Sequence, residues 1–162
     1  MRIIIKPHEG ILIEGKKISL GATIEQAIQI LGQGERLDDT YYFEEGDIAI
    51  FMENELIDYI ELRRSDNQNM LVSFDELDIF RTEKKEVLQQ LASKNLEPPV
   101  DDDESGKSFE NLGISIYTGI SEKEVEEMIE EAKADGVYEE MLEDIQRDME
   151  RAKYVETVGI FS

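Results

Sequence analysis

Phe43-Glu44-Glu45-Gly46-Asp47-Ile48-Ala49-Ile50-Phe51 returns later in the chain as Phe109-Glu110-Asn111-Leu112-Gly113-Ile114-Ser115-Ile116-Tyr117. Four of the nine positions are identical, and two more exchange Ala for Ser and Phe for Tyr. In both windows the Ile-x-Ile spacing puts apolar side chains on one face of a strand. Any two half-buried strands alternate in this way. What raises the match above that is the amphipathic helix upstream of each window. An internal helix–strand–strand duplication is therefore expected. It would build one continuous antiparallel sheet with helices packed on one face. The fold class expected is α+β, in one domain over 1–162 with repeat halves at about 1–80 and 81–162.

Outward from these windows the local signals are consistent. Met1–Lys6 and Ile11–Glu14 read as strands around the turn Pro7-His8-Glu9-Gly10. Thr23 and Gln26 have the spacing of a capping box, and Ile24, Ala27, Ile28 and Leu31 form one apolar stripe closed by Gly32. Gln33–Thr40 reads as a polar loop. Asp47–Met52 and Leu56–Leu62, joined by a short polar turn, read as a hairpin, and Met70–Phe74 and Leu77–Phe80 as short strands. Thr82–Ser93 is expected to be helical, with Val87, Leu88 and Leu91 facing the core. Residues 97–108, which hold Pro98-Pro99 and Asp101-Asp102-Asp103-Glu104, are expected to be an exposed acidic loop. Ser121 and Glu124 form a second capping box. A helix with Val125, Met128, Ile129 and Ala132 follows, then one with Met141, Leu142, Ile145, Met149 and Ala152, then a strand over Val155–Phe161.

The net charge of −22 is uneven: residues 1–100 carry 20 acids and 11 bases, residues 101–162 carry 19 and 6. Such a surface repels nucleic acid and anionic membrane and attracts a basic protein, so no nucleic-acid or membrane partner is expected. The same charge also serves plain solubility. The absence of cysteine excludes disulfides, thiolate metal sites and a cysteine nucleophile. The first apolar run is three residues long, too short for a signal-peptide core, so the cytoplasm is expected.

No catalytic constellation emerges. His8 is the one histidine and lies in a turn, so triads and histidine relays lack a partner set. Gly32-Gln33-Gly34 lacks the lysine and context of a phosphate loop. Asp101, Asp103, Ser105 and Gly106 match positions 1, 3, 5 and 6 of a calcium loop, but Leu112 stands where the bidentate glutamate belongs. The expectation is no enzyme, no catalytic residues, no metal and no cofactor.

Within the helices expected across residues 122–148 seven acid pairs stand four apart, while Lys123–Glu127 and Glu143–Arg147 alone pair opposite charges at that spacing. Like pairs each cost an isolated helix about 0.2–0.5 kcal/mol. Local stability is not what the pattern serves, and complementarity to a positive partner is one use for it. The expected partner footprint is Glu126, Glu127, Glu130, Glu131, Glu140 and Asp144.

The string Pro7-x-x-Gly10-Ile11, Ile18-x-Leu20-Gly21, a helix ending Leu31-Gly32, then Tyr41–Phe51 and Ile57–Glu61 resembles a pattern in small bacterial proteins. Some of those are uncharacterised and some are immunity proteins made beside secreted toxins. The element order is also loosely similar to the tandem helix-plus-sheet modules of β-lactamase-inhibitor-like proteins. The resemblance spans residues 1–62 and rests on turn glycines and apolar strand positions. It implies an inhibitor without catalytic residues and transfers no interface position. The function expected is a non-catalytic, acidic protein-binding module, an immunity-type inhibitor of a basic toxin or enzyme. The alternatives are a self-associating adaptor and a carboxylate- or metal-dependent hydrolase. The oligomeric state stays open.

Overall fold

The two related windows fold as twin hairpins with one register. Phe43 pairs with Ile48, and Phe109 with Ile114. The computed structural model describes residues 1–66, 69–102 and 106–162, with the backbone alone at Asp102. In chain order the strands are β1 (Arg2–Lys6), β2 (Gly10–Ile13), β3 (Lys16–Ser19), β4 (Glu35–Leu37), β5 (Thr40–Phe43), β6 (Ile48–Glu53), β7 (Leu56–Arg63), β8 (Leu71–Phe74), β9 (Leu77–Asp78), β10 (Val100–Asp102), β11 (Gly106–Phe109), β12 (Ile114–Tyr117) and β13 (Thr157–Phe161). The helices are α1 (Glu25–Leu31), α2 (Lys84–Lys94), α3 (Glu122–Ala134) and α4 (Tyr138–Lys153).

The fold is α+β, but with two sheets instead of one. The larger is antiparallel and runs β10-β11-β12-β13-β7-β6-β5-β4. The smaller runs β3-β2-β1-β8-β9 and is mixed, because β1 and β8 pair in parallel. One contiguous apolar core joins residues of both sheets, among them Ile3, Ile11, Ile50 and Ile160, with Ala27 of α1 and Val87 and Leu91 of α2.

The larger sheet reads the same from either edge. Two apolar rows cross its four central strands: Ile48–Leu62–Val158–Ile116 and Ile50–Ile60–Ile160–Ile114. The register maps the first row onto the second, placing Leu62 at the position of Ile160 and Ile60 at that of Val158. The centre of this approximate two-fold is the pair Glu61–Gly159. Seven of these eight side chains have no exposed surface and Ile116 has 2%. Full burial of such a side chain stabilises the fold by about 1.5–3 kcal/mol. A bulge between Phe51 and Met52 leaves Asp58 unopposed, so both Ile57 and Ile60 reach the core, which strict alternation forbids.

Several local expectations are corrected. Thr23 and Gln26 form no capping box: Ile24 caps α1 without a side-chain bond. The Gln26 side chain instead accepts the Ser19 backbone N–H at 2.7 Å, which ties α1 to β3. The polar loop expected over 33–40 contains edge strand β4, and the acidic loop over 97–108 contains β10 and the start of β11. Asp103, Glu104 and Ser105, central to the calcium-loop comparison, lie outside the described residues, and Asp101 is ion-paired to Lys107 at 2.7 Å. Both edge strands are three residues long and carry charge, which resists strand addition from another chain. Among the described residues no helix is long and apolar enough to cross a membrane.

Candidate functional site: the inserted helical hairpin and the cleft beneath it

The two halves of the larger sheet differ at one connection. β6 and β7 are joined by Asn54-Glu55, both at positive φ (52° and 63°), as a two-residue hairpin turn requires. At the equivalent connection between β12 and β13 the chain inserts residues 118–156, which hold α3 and α4. These helices pack on each other around a separate small core of Val125, Ala132, Ile145 and Ala152, supported by Ile120, Ile129, Val137, Tyr138 and Met141. The start of the hairpin is fixed by the Ser121–Glu124 capping box, of which both hydrogen bonds form (3.1 and 3.0 Å). Gly136 at φ 71° lets the chain reverse.

Residues 118–156 carry fourteen acids and five bases. All six residues of the expected footprint are exposed. Glu126, Glu127, Glu130 and Glu131 cover the side of α3 away from its small core. Glu140 and Asp144 lie on α4 in a stripe that continues to Arg147 and Arg151, at spacings of four, three and four. Asp144 is bonded to Arg147 at 3.1 Å, and Asp148 meets Arg151 at 3.8 Å. The ion pairs along α4 are thus three apart, and Arg147 bonds Asp144 where the sequence reading paired it with Glu143. Among the described residues no group of three or more acids or histidines has metal-binding geometry. His8 sits at φ 60°, its Nε2 in a hydrogen bond with the Asn111 carbonyl at 2.6 Å, and so ties the first turn to the β11–β12 turn.

Sequence reasoning missed what lies under α4. The outer face of β7, β12 and β13, the 64–66 segment and α4 enclose a cleft of about 890 Å³. Its walls include Arg63, Arg64, Arg147 and Arg151 with Tyr59 and Tyr117. The one local hint was the doublet Arg63-Arg64 in so acidic a chain. Within that lining, Tyr59 lies across Gly159: a Cβ on Gly159 would stand 1.7 Å from the Tyr59 hydroxyl oxygen. That hydroxyl reaches Ser115 Oγ on β12 at 3.0 Å, and Phe51 meets the ring edge-on at 5.5 Å. Burial pushes the Tyr59 phenol above its ordinary value of 10.0, against the opposing hydrogen bond from Ser115. A phenol whose folded-state value exceeds its unfolded value gives stability that is fully present below pH 10 and is lost as pH rises beyond it. Tyr59→Phe is therefore expected to flatten the alkaline fall in stability, read as urea midpoints between about pH 9 and pH 11.5. An equally steep fall in the variant would show that Tyr59 does not carry it.

No protein-family model, curated protein or solved structure matches the chain.

Proposed function

We propose that this chain is a non-catalytic protein-binding module, a bacterial cytoplasmic inhibitor of the immunity type, and that the α3–α4 hairpin is its contact element for a basic protein. One observation carries the reading. The hairpin stands where the twin half needs a two-residue turn, has its own small core, and presents exposed acids along both helices. The eight-stranded sheet therefore does not need it for closure, and its acids repel one another at i,i+4 without local benefit. A positive surface set against them would relieve that repulsion and accelerate encounter. The resemblance of residues 1–62 to immunity-type proteins points the same way.

The test is capture from lysate of the source organism on the immobilised protein, at low and high salt, beside a variant with Glu126, Glu127, Glu130 and Glu131 changed to Lys. The expected result is a basic protein retained at low salt, released at high salt, and bound about tenfold more weakly or less by the variant. Retention by the variant equal to that of the parent would remove the hairpin from the interface.

A further inference from the structure

Four of the chain's seven arginines, and none of its ten lysines, line the cleft under α4. They come from separate places: Arg63 from the end of β7, Arg64 from the segment after it, Arg147 and Arg151 from α4. Three are paired with carboxylates, Arg63 with Glu61 at 2.9 Å, Arg147 with Asp144 at 3.1 Å and Arg151 with Glu156 at 2.8 Å and Asp148 at 3.8 Å. Glu156 is itself seated against Gly119, where a Cβ would stand 1.6 Å from its Oε2. The Glu61 and Glu156 carboxylates are partly buried and restrain their guanidiniums before a ligand arrives, whereas the Arg147–Asp144 pair is exposed on both sides. Arg64 differs. Its guanidinium lies 5.6 Å from the centre of the Tyr154 ring and has no ion-pair partner among the described residues. It is half-buried and lines both this cleft and a neighbouring one of about 380 Å³.

The charge distribution is equally uneven. The lining holds four arginines and four acids, with Asp144 and Asp148 at the outer side of the two α4 arginines, inside a chain of net −22. An anion is therefore repelled less here than at the acidic faces of α3 and α4. Arginine forks suit phosphate and carboxylate alike. A planar carboxylate occupies one fork, whereas a tetrahedral phosphate offers three oxygens to several guanidiniums approaching from different sides. The acids in the lining accept hydrogen bonds from hydroxyl groups. We propose that the cleft binds a phosphomonoester carried on a small hydroxylated body, with Arg64 as the principal phosphate ligand.

The test is a titration of the full chain followed by amide NMR, with inorganic phosphate, ribose 5-phosphate and ribose as probes. The expected result is saturable shifts around Arg64, Gly119 and Thr157 with ribose 5-phosphate, weaker shifts with phosphate and none with ribose. Arg64→Gln should weaken ribose 5-phosphate binding about tenfold or more, and Arg64→Lys less. Glu156→Gln, which removes the nearer of the two carboxylates at Arg151 and leaves Asp148, should tighten it severalfold, a result that a merely unfolded variant cannot give. The proposal is overturned if neither phosphate probe gives saturable shifts up to about 20 mM. It is equally overturned by an unchanged affinity in a folded Arg64→Gln variant.

Discussion

Leu62→Ala is expected to lower the unfolding free energy by about 3–4 kcal/mol, the range for removing a fully buried leucine whose surroundings cannot collapse. Leu62 has no exposed surface and sits between Ile48 and Val158 in an apolar row that crosses four strands. Rigid ladders on both sides limit closure of the cavity. The register gives this prediction a second arm. Ile160 occupies the twin position, between Ile60 and Ile114, and is equally buried. Ile160→Ala should therefore cost the same to within about 1 kcal/mol. Met149→Ala, at a side chain 43% exposed on α4, should change stability by under about 0.5 kcal/mol. Urea midpoints with unchanged slopes would measure all three. A loss at Ile160 much smaller than that at Leu62 would mean that the matching register does not translate into matching packing.

Replacing residues 120–153 with a short Gly-Ser linker should remove the two longest helices and leave both sheets folded. The main core draws no residue from α3 or α4; Val155, which it does include, is retained in this variant. Glu156 already donates its backbone N–H to the Tyr117 carbonyl at 3.1 Å, so the ladder entering β13 is in place without the hairpin. Far-UV circular dichroism should lose more than half of its helical signal, since α3 and α4 hold 13 and 16 residues against 7 and 11 in α1 and α2. The urea transition should remain single and cooperative. On the proposed function, capture of a basic partner should vanish. Loss of the cooperative transition would show that the hairpin is structural.

What the sequence disclosed follows from where its signals are local. The Ile-x-Ile alternation of β6 and β12 survives translation into structure because the isoleucines of both strands enter the main core, although Ala49 and Ser115 between them are buried as well. The Ser121–Glu124 box was legible because both of its bonds close within four residues. Edge strands β4 and β10 were not legible. The side chains of Glu35, Arg36 and Leu37 are all exposed, so no alternation marks them as a strand. The Thr23–Gln26 spacing misled because Ser19, outside the helix, offered Gln26 a competing backbone N–H. The parallel pairing of β1 with β8 joins Ile3 to Val72 and leaves no short-range trace. The arginine cleft was hidden for the same reason. Arg63 and Arg64 line one cleft with Arg147 and Arg151 only because the chain returns from its helical insertion beside β7.

That return also governs how the molecule must assemble. β13 lies between β12 and β7, in the middle of the larger sheet, yet it follows every other strand in the chain. The flanks β4–β7 and β10–β12 can each form from neighbours in sequence, but they cannot join until residues 157–161 leave the ribosome. Until then the edge of β7 is unpaired, with Ile57, Ile60 and Leu62 beside it, and that is the template on which strands of other chains add. Pairing Val158 with Leu62 closes a long loop, and such closures slow folding. Synthesis that pauses inside α3 or α4 should therefore be the point of greatest aggregation risk.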